Sequence, residues 1–572
     1  MKRTILTLAS ALCLIMSSKA QTIMHNEILG RPTDNSIVVS MFFSDSAEVS
    51  VQYGTISGIY PNQTSWQVFA DSVPAVMMIT GLQADTKYYY RVCYRHPGDI
   101  NYSTRPEYKF HTARIPGSSY SFIVQADPHL DVNSDSALYR VSLKDELSDS
   151  ADFMIDLGDF LMTDKLIDTT THTVPFDTIP YRCHMYRNFY GTACNSLPLF
   201  NVIGNHEGES GWYNDNTANN VAVWDAQQRT KFFTNPHPDG FYTGDTSNTN
   251  FVGHRESYYS WQWGDALFIV LDPYWYSNPK PDSLHGWYWT LGKPQYDWLK
   301  ATLENSTATF KFVFSHQLVG GDPQGRGGIE RANFYEWGGN NIDSTYGWTT
   351  NRPGWYKPIK DLLTENRVNV FFHGHDHFFG EQQKDCMIYQ ETPQPSLHNF
   401  NYPNQAAAYG YNAGLIIGNC GYLKVDVAPT GVTVNYIRAY KPSDTSSTRH
   451  NKDVAASYFI GNVNCYDSLS GGIPVVWNGN YADEIVYPNP FLKETTIAFN
   501  LKQTDRISIM VMNEKGQPVR RLMNSRTVSE GKFQIVWDGA DASGVEQPNG
   551  IYWYSIIGEK SGAKSGKMVL MR

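Results

Sequence analysis

Past residue 20 the sequence has no apolar run long enough to cross a bilayer, which excludes an ordinary membrane-spanning helix from that part of the chain. None of its seven cysteines stands in a Cys-x-x-Cys pair, so a cysteine-based zinc site or a thioredoxin-like redox motif is not expected. Charge is sparse at 18%, and 46 basic against 56 acidic residues give a formal net charge of −10. The basic residues form no patch. Neutralising a nucleic-acid backbone takes clustered Lys and Arg, so no nucleic-acid binding is expected. The glycine-rich stretch Gly320 to Gly328 lacks the Gly-Lys-Ser/Thr ending of a nucleotide-binding P-loop.

What is present points to a folded, strand-rich protein: hydrophobic residues reach 41%, with 37 Tyr and 15 Trp. A chain of 572 residues exceeds one ordinary core, so roughly two to four domains are expected. Residues 1–20 carry Lys2 and Arg3, an apolar run from Ile5 to Met16, and Ser18, Lys19, Ala20 before Gln21. This is the pattern of a secretory signal peptide, with cleavage expected after Ala20. Cys13 follows Leu12, where a lipid-anchoring signal would want a small residue. Cleavage removes three positive charges from −10 and leaves −13. An exported chain permits disulfides, and Cys183 with Cys194 is the most local candidate pair.

From Gln21 to about Arg114 short alternating runs such as Ser36 to Phe43 and Val49 to Tyr53 are separated by Asn, Asp, Gly and Pro turns, which reads as all β. The stretch Gly81 to Val92, a turn followed by Tyr88, Tyr89 and Tyr90, has the pattern of a tyrosine corner, in which a hydroxyl pins the preceding turn. This region resembles the fibronectin-III-like domain ahead of the catalytic domain in purple acid phosphatases, which implies a structural role.

After Ile115, Pro116 and Gly117 the pattern changes to apolar strands alternating with helical stretches. Ser121 to Ala126, Phe153 to Leu157, Leu199 to Ile203, Leu267 to Leu271, Phe310 to Phe314 and Val368 to Phe372 read as strands. Five of them run into residues of metal-binding type: Asp127 and His129 in QADPHL, Asp156 and Asp159 in DLGDF, Asn205 and His206 in IGNHE, His316 in FSHQ, and His375 and His377 in FFHGHDH. Active sites of α/β sheets gather at the carboxyl ends of strands, so this placement is informative. Alternation along an extended chain would let His373, His375 and His377 all face one side. Such imidazoles suit borderline metals, although solvated loop histidines are the other reading.

In their order, DxH, GD, GNHE, a lone His and GHxH resemble the signature of calcineurin-like metallophosphoesterases, over roughly Ser121 to Tyr440. The resemblance implies two divalent metal ions (Mn, Fe or Zn), with Asp127, His129, Asp159 and His377 on the first and Asp159, Asn205, His316 and His375 on the second. Asp159 would bridge them. It also implies a phosphate-ester substrate attacked in line by a metal-bound hydroxide, and two divalent ions against two carboxylates and a hydroxide leave a charge of about +1 that favours the anion. His206 is the expected catalytic residue, donating a proton to the leaving oxygen or stabilising the transition state. His373 is expected to be a structural neighbour, Asp156 a buried hydrogen-bonding group and Asp376 a turn residue. Glu207 would orient His206 or a ligand, and Arg326 is either a solvated loop residue or a phosphate contact. Purple acid phosphatases place a tyrosine three residues after the GD aspartate. Met162 stands there instead, so a tyrosinate-derived colour is not expected and His129 would fill that position.

Between Gly208 and Leu291 an insert crowded with Trp, Tyr and Asn reads either as surface loops held by aromatic packing or as a rim that shapes the pocket. The stretch Gln295 to Thr302 reads as helix and Val425 to Arg438 as a hairpin, followed by a loosely structured Ser, Thr, Asp, Asn-rich connector. Beyond Tyr487 five short strands are expected, with a turn at Glu514 to Gly516. YPNPF, VWDGADASG, NGIYWYSI and the basic KMVLMR end resemble the C-terminal sorting domain of type IX secretion cargo, which implies the type IX secretion machinery as a partner. The expected architecture is α/β: a metallophosphoesterase β-sandwich flanked by helices, preceded by an all-β immunoglobulin-like sandwich and followed by a small all-β domain. The expected segments are 1–20 signal peptide, 21–115 sandwich, 116–440 catalytic, 441–486 connector and 487–572 sorting domain. The expected protein is secreted, extracellular or attached to the outer cell surface. The expected function is phosphoester hydrolysis. Alternatives are a phosphodiesterase or nucleotidase acting on a larger substrate, or a surface binding protein with an inactive phosphatase fold.

Overall fold

The computed structural model describes residues 23–168, 174–400, 404–461, 481–513, 518–558 and 561–572. The leader at 1–20, part of the connector and the Glu514 to Gly516 turn lie outside the described residues.

At the centre, two sheets face each other. One runs in the order Leu199–Asn201, Met154–Asp156, Tyr120–Gln125, Gly421–Ala428, Gly431–Arg438, Val454–Gly461, and its first three strands are parallel. The other contains Tyr259–Trp263, Ala266–Val270, Phe310–Phe314, Val370–His373 and Met387–Glu391, the last four parallel. Alternation along these strands assigns side chains to layers. Phe122, Val124, Phe268, Phe312, Phe314, Val370 and Phe372 fill the space between the sheets. Their neighbours turn outward: Ile123 and Met154 meet the helices Ser136–Ser148 and Thr178–Tyr190, while Leu267, Ile269, Val313 and Phe371 meet Lys293–Glu304 and Ile359–Glu365. Strands buried on both faces explain the continuous apolar runs in the sequence. The result is mixed α/β, a β-sandwich flanked by helices, with β-sandwiches at both ends of the chain.

The amino-terminal sandwich pairs Ile23–Gly30, Ser36–Phe43 and Ala75–Thr80 in one sheet and Ala47–Gly54, Lys87–Arg95 and Tyr108–His111 in another, around Val39, Val51, Ile79 and Tyr90. Tyr88 supplies the corner, its hydroxyl accepting from Gln83 N at 2.9 Å. The sandwich is joined to the central sheets by Leu29 N to Cys194 O at 2.8 Å, Tyr90 Oη to Asn195 O at 2.8 Å and stacked Phe42 and Phe232 rings 4.8 Å apart.

Several expectations change. Cys183 and Cys194 are not bridged: both are buried free thiols in one apolar layer, Cys183 on the Thr178–Tyr190 helix itself and Cys194 just after it. Cys386 is disulfide-bonded. The connector is not uniformly loose, because Val454–Gly461, carrying Tyr458, Phe459 and Ile460, pairs as the edge strand beside Gly431–Arg438. Beyond Tyr487 the described residues form six strands rather than five, from Thr495–Leu501 to Gly562–Leu570. The aromatic insert is not only surface loops. Trp261 and Trp263 lie on a strand inside the central core, Trp261 stacking on Phe200 and Phe268 at 4.2 and 4.9 Å. Among the described residues, no helix is long and apolar enough to cross a membrane.

Candidate metal centre

The parallel strands of the two sheets end at a common edge, and the loops leaving them interlock. Asp127 N donates to Gly158 O at 3.0 Å, His129 N to Asp159 O at 3.2 Å, and Gly374 N to His316 O at 2.9 Å. The loops turn sharply: Asp127, His129, Asp159, His375 and His377 all have left-handed backbones, with φ of 57°, 49°, 60°, 80° and 63°. Each such residue costs about 1–3 kcal/mol, and clustering of this strain is typical of functional sites. Glycine is required where the loops touch. A Cβ on Gly374 would lie 2.5 Å from Asp127 Oδ2, and one on Gly204 would lie 2.3 Å from Asp159 Oδ1.

Each of the two central carboxylates is anchored by one oxygen and presents the other. Asp127 Oδ2 accepts from His375 N and Asp159 Oδ1 from His206 N, both at 2.8 Å. Asp127 Oδ1, Asp159 Oδ2 and His129 Nε2 are buried and have no hydrogen-bond partner. His129 Nε2 lies 3.6 Å from both of those oxygens. His377 Nε2 stands 3.3 Å from Asp127 Oδ1, and His316 Nε2 stands 3.2 Å from Asp159 Oδ2. His316 Nε2 also approaches Asn205 Oδ1 at 3.1 Å and His375 Nδ1 at 3.2 Å. The outward ring nitrogens are occupied: His316 Nδ1 pairs with Leu157 O at 2.9 Å and His375 Nε2 with Gln324 O at 2.8 Å. The inward nitrogens, His316 Nε2 and His375 Nδ1, thereby face the cluster. All seven ligand-type residues, Asp127, His129, Asp159, Asn205, His316, His375 and His377, meet here. Asp127, His129 and His377 make one ligand-sized cluster, and Asp159, His316 and His375 make another.

Electrostatics fit the same picture. Burial disfavours the Asp127 carboxylate, but the His377 and His316 imidazoles outweigh it and hold its carboxyl well below the usual range. Burial opposes a charged His316, yet Asp159 and Asp127 push it up to about 10, and His129 similarly reaches about 9. Buried carboxylate oxygens without partners are costly unless a cation meets them. The mixed carboxylate, imidazole and amide donors suit Mn, Fe or Zn.

Around the cluster, His206 Nδ1 is 2.6 Å from Asp164 Oδ1 and its Nε2 is 3.7 Å from Asp159 Oδ2. Glu207 takes the backbone amides of Asp159, Phe160 and Leu161 at 3.0, 2.7 and 3.0 Å, with that of Gly204, so it fixes the Asp159 loop rather than His206. Asp156 is the expected buried acceptor, from Gln125, Tyr190 and Gly158. His373 turns away to Glu391 at 2.7 Å. Asp376 is more than a turn residue: buried, it accepts from Arg326 at 3.0 Å, Gly327 N at 3.0 Å and Tyr411 at 2.8 Å. Arg326 is therefore half-buried and paired rather than free, and also covers the Tyr409 ring at 4.1 Å. Met162 is buried. Asp164 and Arg182 carry no sequence signal. Asp164 sits five residues beyond Asp159 in a 3-10 turn, outside the DxH, GD, GNHE and GHxH motifs, and Arg182 lies on a helix distant in sequence from both loops it contacts.

Residues 120–379 match the calcineurin-like phosphoesterase family. The chain thus carries a calcineurin-like metallophosphoesterase domain, and the class this defines is the metal-dependent phosphoester hydrolases. Among solved structures it is similar to PhoD, at 15% identity and TM-score 0.54 over 79% of this chain and 93% of that one. It is also similar to the purple acid phosphatase PPD1 from yellow lupin (Lupinus luteus) seeds, at 13% identity and TM-score 0.51 over 80% and 77%. No curated protein matches the chain.

Proposed function

We propose that the chain is a secreted binuclear phosphoesterase, with Asp127, His129, Asp159 and His377 holding one ion, Asp159, Asn205, His316 and His375 the other, and Asp159 shared. The observation that carries this reading is the pair of buried, partnerless oxygens, Asp127 Oδ1 and Asp159 Oδ2, ringed by inward imidazole nitrogens. When bound, two divalent ions would supply a nucleophilic water at neutral pH and charge neutralisation of the phosphoryl group. The chain's own residues do the rest. Backbone anchors from His375 and His206 aim the two carboxylates. Asp164 holds His206 with Nε2 toward the centre, where it donates a proton to the leaving oxygen. The leader at 1–20 supports export, and the closing motifs support a sorting role for 487–572, with 21–115 as a supporting sandwich and 116–440 as the catalytic unit.

Metal-reconstituted protein is expected to hydrolyse 4-nitrophenyl phosphate or bis(4-nitrophenyl) phosphate, with their ratio setting monoester against diester preference. Asp159→Ala is expected to lose about 10³-fold or more, since it removes a ligand of both ions. Undiminished activity in that variant would sink the two-ion assignment. Wild-type inactivity on both esters would favour a binding protein with an inactive phosphatase fold.

A further inference from the structure

Arg182 lies one turn into the Thr178–Tyr190 helix, nearly buried at 9% exposure, with its guanidinium 5.4 Å from the Tyr186 ring centre. Among the described residues it pairs with no carboxylate, and its oxygen contacts there are backbone carbonyls: Nε to Leu161 O at 2.6 Å, Nη2 to His129 O at 2.7 Å and Phe160 O at 3.3 Å, and Nη1 to Leu130 O at 3.3 Å. Those carbonyls belong to two different loops. His129 and Leu130 follow Asp127 in the first, and Phe160 and Leu161 follow Asp159 in the second. Both loops are strained, since Asp127, His129, Leu130, Asp159 and Met162 all have left-handed backbones.

Phe160 and Leu161 are gripped from both sides. Their amide N–H groups go to Glu207 and their carbonyls to Arg182. Left-handed residues persist only where their surroundings over-determine them. A planar guanidinium with five fixed donors can hold several carbonyls in one geometry, which an ammonium cannot.

We propose that Arg182 is a positioning residue that cross-braces the two ligand loops and so sets the first metal half-site, where His129 must face Asp127 and Asp159. This rests on the binuclear reading above. Two mechanisms make opposite predictions. If Arg182 acted only through its charge, removing a cation beside a site for cations would tighten metal binding. If it acts by bracing, removal weakens binding, and does so unequally: the first ion depends on both braced loops, through His129 and Asp159, while the second shares only Asp159 and keeps Asn205, His316 and His375, which Arg182 does not touch.

The test is a Mn²⁺ titration of the full-length apo protein by calorimetry and equilibrium dialysis, for wild type, Arg182→Met and Arg182→Lys. The folded state of each is checked by circular dichroism. Arg182→Met is expected to weaken one of two binding events by about 10–100-fold, the range seen when groups orienting metal ligands are lost, and to leave the other within about threefold. Arg182→Lys keeps the charge without the fork and is expected to weaken the same event. It carries the test alone if the methionine variant does not fold. Unchanged or tighter binding of both ions, or an equal loss at both, would overturn the brace. Wild-type protein that takes up no Mn²⁺ would overturn the binuclear reading along with it, whereas wild type with two ions and an indistinguishable variant would overturn the brace alone.

Discussion

His206 can present Nε2 to a leaving oxygen only while something occupies Nδ1 and fixes the ring, and Asp164 does this at 2.6 Å. Asp164→Asn replaces the carboxylate with a weaker, neutral partner. It is expected to lower kcat by about 10–100-fold, part of the range for general acid catalysis, while Mn²⁺ content stays at the wild-type level. The penalty should be greater for phenyl phosphate than for 4-nitrophenyl phosphate, because a poor leaving group needs the proton more. An equal loss on both esters would mean that Asp164 does not act through proton donation. The residues of the candidate metal centre were legible in the sequence because each follows an apolar strand, so position along the chain already implied position in space. Asp164 and Arg182 were not, since their partners lie in other segments. His373 shows the same limit from the other side: it shares the alternation of His375 and His377, and only its pairing register with Glu391 on Met387–Glu391 explains why it turns away.

At the scale of elements, periodicity carried most of the information. Strands covered on both faces stand out as unbroken apolar runs. The Val454–Gly461 edge strand hides in polar surroundings, because one neighbour and a half-exposed face demand little hydrophobicity. The tyrosine corner was legible for a local reason, its partner being only five residues away. Tyr88→Phe removes the acceptor for Gln83 N and nothing else of the ring's packing against Phe110. The expected cost is about 1 kcal/mol, typical of one hydrogen bond, read as a lower urea midpoint for the sandwich with phosphoesterase activity retained. An unchanged midpoint would show that the corner is ornamental in this chain.

The metal loops and the amino-terminal sandwich are both reached by one helix, Thr178–Tyr190, which no single motif could have revealed. One side carries Arg182 to the metal loops. The other carries His184 and Arg187 to the amino-terminal sandwich, where Arg187 donates to Ser40 O at 3.0 Å, and it also donates to Phe232 O, at the end of the helix Val221–Phe232, at 2.5 Å. His25 of the first strand closes this junction, with Nε2 2.6 Å from His184 Nδ1 and Nδ1 2.9 Å from Asn188 Oδ1. Burial, with Arg187 and His184 adding to it and Asn188 opposing, pushes the His25 imidazole down to about 4. Burial, with Arg187 and Lys231, lowers His184 as well. Both are thus neutral in the folded state but protonate in the unfolded chain below its ordinary value near 6.5. Their contribution to stability is therefore full above about pH 6.5 and declines as pH falls toward 4, by a few kcal/mol at most. His25→Gln removes one of the two linked protons. In chelated protein, where metal loss cannot intervene, the melting temperature of wild type relative to this variant is expected to fall between pH 7.5 and 4.5. A difference that stays constant across that range would mean that the junction takes up no proton on opening, and that acid acts on the molecule elsewhere.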